Sequence, residues 1–398
     1  MKTSIAVIFG GRSVEHEVSV ISGLQAYAAL DRETYDVLPL YIGKDGAFYT
    51  GPHLGDIRSF RDMDACLKEA VRVLPVPENG RAALVRYPMK KFGDNVVGRF
   101  DVALPVVHGT NVEDGTLMGF LEMLGVPYAS CDVTASAVGM DKLLTKAALM
   151  QAGVPVLPAQ AYTGQDYAAH SARIVAEIEE QVGYPAIVKP VNLGSSVGIS
   201  RADDRAGLEA ALDLALQFSP RVLVERAVPH LREINCAVLG DREEAIPSVC
   251  EEPLNAHEIL SYQDKYMSGG KGGKSGGKGS GGMSDLKRRC PAELPDGMTE
   301  KVQQLAVQTF QALGCLGVAR IDFLNDRETG EVWVNEINTI PGSLAFYLWE
   351  AAGIPFSQLL DRMIALAFKR QREREALTFS YDTNLLAGAS FGPKSGKA

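Results

Sequence analysis

The stretch that most constrains the fold is Val318-Ala319-Arg320-Ile321-Asp322-Phe323-Leu324, then Asn325 to Gly330, then Glu331-Val332-Trp333-Val334-Asn335-Glu336-Ile337-Asn338. Two apolar runs joined by a Glu-Thr-Gly turn predict an antiparallel hairpin. Side chains alternate across a strand, so Arg320 and Asp322 share one face of the first strand, and Glu336 and Asn338 share a face of the second. Folding the hairpin sets Asp322 against the Glu336 region and gathers three oxygen ligands and one guanidinium on one face. Asp322, Glu336 and Asn338 are hard donors of the kind that suits Mg2+, which takes one or two carboxylates beside substrate phosphates. The plain alternative is a solvated face with a salt bridge; the apolar flanks and the asparagine, which adds nothing to an ion pair, stand against it.

A phosphate cradle accompanies the hairpin. Tyr184-Pro185-Ala186-Ile187-Val188-Lys189-Pro190 reads as a buried strand, followed by Asn192-Leu193-Gly194-Ser195-Ser196-Val197-Gly198. Such a loop exposes backbone N–H groups and two hydroxyls to an anion, while Lys189 adds charge from a rigid strand. A simple Gly-Ser turn is the other reading. The strand Arg221 to Val228 can offer its end to a planar base, with Glu225 accepting from an amino group and Glu233 holding ribose hydroxyls, or both acids are merely solvated. Gly273-Lys274-Ser275 imitates the end of a P-loop, but Ser268 stands where the motif needs glycine, so Ser268 to Gly282 is expected to be a flexible loop.

The N-terminus opens as a βα unit: strand Ile5 to Phe9, the Gly10-Gly11 turn, and a helix from Val14 to Leu30. A second apolar strand, Val102 to Val107, ends at His108-Gly109 before a helix around Gly119 to Leu124. Strands ending in glycine turns that face helix N-termini place those turns on one edge of a parallel sheet, where ligands bind in open α/β folds. Further helices are expected over Ala135 to Gln151, Tyr167 to Gln181 and Asp204 to Phe218. At about 100 to 200 residues per domain, 398 residues make two to four domains. The boundaries read as 1–130, 131–227 and 228–370, with a tail over 371–398. The net charge of -9 disfavours nucleic acid and anionic membrane as partners. Six scattered cysteines without a C-x-x-C pair read as reduced thiols. No stretch reaches the roughly 18 apolar residues that span a bilayer, and a cytoplasmic protein is expected.

Taken in order, these residues resemble the D-alanine–D-alanine ligase family. The resemblance is carried by Glu15 after Gly10-Gly11, the run His108-Gly109-Thr110-Asn111-Val112-Glu113-Asp114-Gly115, Met140-Asp141-Lys142, Lys189 with Ser195 and Ser196, Lys265-Tyr266, Arg320-Ile321-Asp322, and Glu336-Ile337-Asn338-Thr339-Ile340-Pro341-Gly342. It implies a three-domain ATP-grasp fold, α/β and α+β, with an N-terminal Rossmann-like parallel sheet and ATP between the central and C-terminal domains. It implies two Mg2+ ions, or Mn2+, on Asp322, Glu336 and Asn338, and phosphates neutralised by Lys142, Lys189 and Lys265 and touched by Ser196. Adenine is implied against Glu225, Arg226 and Val228, with Glu233 on the ribose. Glu15 would hold the donor's ammonium in a triad with Ser195 and Tyr266, His108 would lie beside that substrate, and Arg320 with the Gly342 N–H would stabilise an oxyanion. The loops at Gly194 to Gly198 and from Tyr266 would be lids. A homodimer and a role in peptidoglycan precursor synthesis are further implications.

The chain departs from the family at Val112, where glycine is usual, and at Met118. After Pro341-Gly342 the family has a longer stretch before a Ser-Leu pair that helps bind the acceptor's carboxylate; here Ser343-Leu344 follows at once. Aligning Ser343 and Leu344 with that pair leaves the acceptor open among D-alanine, D-serine, D-lactate and another amino acid. Tyr266 argues against D-lactate and Leu344 against D-serine. A nucleotide-binding regulator without catalysis is the reading from another class, opposed by the intact Arg320, Asp322, Glu336 and Asn338.

Overall fold

The computed structural model describes residues 2–194, 197–254 and 288–379. Ser195, Ser196, Lys265, Tyr266, the segment 268–282 and residues 380–398, on which several expectations fall, lie outside the described residues.

Three sheets organise the described residues. The first is built on β1 (Thr3–Gly10), whose side chains from Ile5 to Phe9 are fully buried. Strands buried on both faces suit parallel pairing, and β1 lies parallel to β2 (Tyr35–Ile42) on one side and to a later strand at Val102–Pro105 on the other. The parallel part ends there. Four strands, β3 (Phe48–Thr50), β4 (Val71–Glu78), β5 (Arg81–Arg86) and β6 (Val96–Phe100), extend the sheet antiparallel beyond β2, so the expected parallel sheet is a mixed one of seven strands closed by β7 (Val102–Pro105). Asn79-Gly80, both at positive φ, makes the two-residue β4–β5 turn that an antiparallel hairpin requires. Helix His16–Ala29 packs on β1, and helix Phe356–Glu375 joins the same apolar core through Leu359, Leu360, Met363 and Ile364.

The single helix expected over Ala135 to Gln151 is two, Val133–Met140 and Lys142–Gln151. Asp141 breaks it in an extended conformation and caps the second helix, its Oδ1 accepting from the amides of Leu143 and Leu144 at 3.0 Å. The second sheet, in the order β10-β9-β11-β8, contains β8 (Ala159–Thr163), β9 (Ala186–Pro190), β10 (Ser200–Ala202) and β11 (Arg221–Arg226), covered by helices Gly164–Gln181 and Arg205–Ala215.

The third sheet runs β14-β13-β12-β15-β16, with β12 (Leu231–Gly240), β13 (Ala245–Pro253), β14 (Arg288–Arg289), β15 (Gly317–Asp326) and β16 (Val332–Asn338), all antiparallel. Ile234, Cys236, Val238, Ala319, Ile321 and Phe323 put one face against helix Met298–Ala312. Burying a large aliphatic side chain stabilises by about 1.5–3 kcal/mol, so this face anchors the sheet and leaves the opposite face free for polar work. All six cysteines are free thiols. Among the described residues no helix is long and apolar enough to cross a membrane.

Candidate active site

Cross-strand register builds the site. Glu251 on β13 opposes Asn235 on β12, Asn235 opposes Asp322 on β15, and Asp322 opposes Glu336 on β16. Directly opposed residues share a face, so one row of four oxygen-bearing side chains crosses the polar side of the sheet. The hairpin half of this row is where the sequence placed it. Arg320 forks onto Asp322, with Nε to Oδ1 at 2.6 Å and Nη2 to Oδ2 at 2.7 Å, and Asn338 Nδ2 donates to Oδ2 at 3.1 Å. Burial raises the Asp322 carboxyl pKa, and the Arg320 charge opposes the shift.

Lysines flank the β16 end. Lys142 Nζ donates to the Leu193 carbonyl at 2.5 Å and stands 3.5 Å from Glu336 Oε2. Lys189 pairs with Glu225 and donates to Asn335 Oδ1 at 2.8 Å. Glu225 is 1% exposed and also faces Lys146 Nζ at 3.0 Å, so its carboxylate lies between two ammonium groups. Desolvation alone would raise its pKa; the two lysines bring it below the usual carboxylate value. Lys146 was not singled out from the sequence, although it sits one turn after Lys142 on the same helix. Arg226 is exposed at the strand end, and Val228 and Glu233 are half-buried.

The strand ends of the first sheet meet this face. Glu15 and Glu113 line one cavity with Lys142, Gly194, Glu336 and Asn338. Glu113 accepts from the Gly109 amide at 3.1 Å and the Ile340 amide at 3.0 Å. Burial, with the charge of Glu15 added, pushes its pKa up to about 8. Val112 packs onto Gly11: a Cβ at Gly11 would come within 2.8 Å of Val112 Cγ1, and Gly11 has φ +112. Met118 is wholly buried, so both departures are absorbed by packing.

His108 is buried with both ring nitrogens engaged. Nδ1 faces the Ile340 carbonyl at 2.9 Å and must donate, which leaves Nε2 to accept from Ser22 Oγ at 3.0 Å. The same Ser22 oxygen accepts from the Ser343 amide at 2.9 Å. Burial depresses the imidazole to about 4, so this histidine is neutral. Beyond Gly342, which is half-buried, Ser343, Leu344 and Ala345 take φ 51, 53 and 49 in succession, a conformation that costs non-glycine residues and persists where surroundings over-determine it. Ser343 and Leu344 are each 1% exposed, with Leu344 in the apolar core, so the short turn directs the expected acceptor-binding pair inward.

Two family models match the chain: D-ala D-ala ligase N-terminus over residues 4–131, and D-ala D-ala ligase C-terminus over residues 148–365. The D-alanine–D-alanine ligase of Thermosipho melanesiensis is 37% identical over 383 residues, 96% of this chain and 98% of that one. That of Heliobacterium modesticaldum is 38% identical, covering 94% and 97%. Among solved structures, the VanG D-Ala:D-Ser ligase from Enterococcus faecalis superposes with TM-score 0.76 at 30% identity, over 92% of this chain and all of that one. The D-alanine-D-alanine ligase from Coxiella burnetii gives 0.75 at 28%, over 94% and 96%.

Proposed function

This chain belongs to the D-alanine–D-alanine ligase family, and from that premise we propose that it joins two D-alanines with cleavage of ATP to ADP and phosphate, supplying D-alanyl-D-alanine for peptidoglycan precursors. The observation that carries the reading is the pairing of Asp322 with Glu336 across the hairpin, with Arg320 on one side and Lys142 on the other.

The donor's carboxylate oxygen attacks the γ-phosphorus and the bond to ADP breaks, giving an acyl phosphate. The second amine then attacks the acyl carbon, a tetrahedral oxyanion forms, phosphate leaves and the amine's proton is released. Glu15 holds the donor's ammonium, with Ser195 and Tyr266 completing the triad, and neutral His108 secures the turn beside that substrate. Lys142, Lys189, Lys265 and Ser196 neutralise and position the phosphates. Glu225, Arg226 and Val228 flank adenine, with Glu225 also fixing Lys146 and Lys189, and Glu233 takes the ribose. Arg320 and the Gly342 N–H stabilise the oxyanion. With Ser343 and Leu344 turned inward, the acceptor's carboxylate falls to the surroundings of that turn.

Two carboxylates and an amide oxygen fit a hard divalent cation, so Asp322, Glu336 and Asn338 would hold Mg2+, as two ions, or Mn2+. When bound, the metal supplies neutralisation of phosphate charge. The reading extends to three units at 1–130, 131–227 and 228–370, a cytoplasmic location and a homodimer.

The test is product identification by mass after incubation with Mg-ATP and D-alanine, alone or with D-serine or D-lactate. D-alanyl-D-alanine as the main product in every arm supports the reading; a mixed product reassigns the acceptor, and no D-alanine-dependent ADP release refutes ligation.

A further inference from the structure

The polar row does not stop at Asp322. Its β13 end carries a second cluster that none of the reaction steps above uses. Glu251, buried, accepts from Asn235 Nδ2 at 3.0 Å and from the Tyr347 hydroxyl at 2.7 Å. Arg288 Nη1 lies 3.4 Å from Glu251 Oε2, and its guanidinium carbon sits 4.0 Å above the centre of the Tyr347 ring. The alternation of β13 separates this cluster from its neighbour: Glu252 points to the opposite face, where Arg232, Arg289 and Arg327 surround it. Tyr347 reaches this place because helix Phe346–Ala351 begins four residues after Gly342. The short turn therefore brings an aromatic hydroxyl beside the Arg320 site, close enough for Tyr347 and Glu251 to act electrostatically on Arg320.

One donor in this cluster is unspent. The Arg288 side chain is 13% exposed, and its Nη2 is buried without a hydrogen-bond partner among the described residues. A buried guanidinium N–H left unpaired is costly, and a carboxylate is the acceptor that matches its fork. The other cations near the row already have work in the reaction or a buried partner: Arg320 faces the oxyanion, Lys142 and Lys189 face the phosphates, and Lys146 is held by Glu225. The row also has a direction. Lysines mark the β16 end, where phosphate charge must be met, and Arg288 marks the other end. Strands stand about 4.8 Å apart, so β13 lies about 10 Å from the β15 strand that carries Arg320. An incoming amine adds to one face of the acyl carbonyl held at Arg320, and its own carboxylate, one carbon from the nitrogen, extends away from the phosphate that the lysines hold.

We propose that Arg288, stacked on Tyr347 and paired with Glu251, receives the α-carboxylate of the acceptor amino acid, in a subsite that the short turn after Gly342 opens. Tyr347 holds the guanidinium plane and Glu251 sets its orientation. The chemical class of the acceptor is thereby an amine bearing a carboxylate one carbon away, and the inference rests on the ligase reading above.

Hydroxylamine separates the two claims, because it traps an acyl phosphate as the hydroxamate and carries no carboxylate. With Mg-ATP and D-alanine, Arg288→Gln should raise the apparent KM for the second D-alanine about tenfold or more, while hydroxamate formation in hydroxylamine stays close to the unmodified protein's. Arg288→Lys should recover part of the loss. Tyr347→Phe, which keeps the ring and breaks the bond to Glu251, should raise the same KM severalfold and serves if Arg288→Gln does not fold. An unchanged acceptor KM, or equal losses of dipeptide and hydroxamate, overturns the subsite. If the unmodified protein makes neither product, the ligase reading itself fails.

Discussion

The first and third sheets place their chemistry differently. In the first, β1 is apolar on both faces, with Ile5 to Phe9 wholly buried, and functional groups occur only past the strand ends, at Glu15 and from His108 to Glu113. In the third, β15 alternates: Ala319, Ile321 and Phe323 face a helix while Arg320 and Asp322 face the site. A strand buried on both sides can present a polar group only where it stops; a strand buried on one side can carry a row of them along its length. Substitutions on the two faces of β15 should thus separate activity from stability, and substitutions at the strand ends should mix the two.

The largest separation is expected at Glu336→Gln, which removes a ligand charge from the polar face. Turnover should fall by about 10²-fold or more, with thermal unfolding nearly unchanged; wild-type kinetics would remove Glu336 from the metal site. On the apolar face, Ile321→Ala should cost about 2–5 kcal/mol in denaturant unfolding while the folded fraction keeps its KM for ATP. A small stability loss there would contradict the division of labour between the faces.

At the strand ends the two quantities are coupled through titration. Glu113 has a folded pKa of about 8 against an ordinary value of 4.5, so between those values the folded state holds the extra proton, and stability falls as pH rises from 4.5 to 8. His108, depressed to about 4 from 6.5, acts in the other sense: the unfolded chain takes the proton first, and stability is lost as pH drops from 6.5 to 4. Glu113→Gln should flatten the alkaline slope in pH-dependent unfolding, and His108→Gln the acidic one. A Glu113→Gln profile that still falls from pH 4.5 to 8 would relocate that proton. The smallest effect is expected at Asp141→Ala, which removes the cap before Lys142 at about 1 kcal/mol; a thermal shift accompanied by a weaker KM for ATP would show that the cap also aims Lys142.

Legibility from sequence followed the same division. The hairpin and the opposition of Asp322 to Glu336 were readable because alternation and a short turn set register locally. Asn235 and Glu251 were not, since each is a polar position whose partner is known only once β12, β13 and β15 are known to be adjacent. Lys146 had a local signal, its spacing of four from Lys142, that went unread. The antiparallel half of the first sheet was missed although Asn79-Gly80 marks its turn, because the prolines and charges of β4 obscure the strand pattern. The helix break at Asp141 was hidden by the strong helix formers that follow it, although Gly139 stands just before it.

Transfer of the γ-phosphoryl group to the donor's carboxylate at the polar face of the third sheet is the step on which all the assigned roles depend. D-alanine labelled with ¹⁸O in its carboxylate tests this directly. Transfer followed by amine attack leaves one labelled oxygen on the departing phosphate, so labelled inorganic phosphate should appear in step with D-alanyl-D-alanine. Dipeptide accompanied by unlabelled phosphate would contradict the acyl phosphate route and the roles given to Arg320, Asp322 and Glu336.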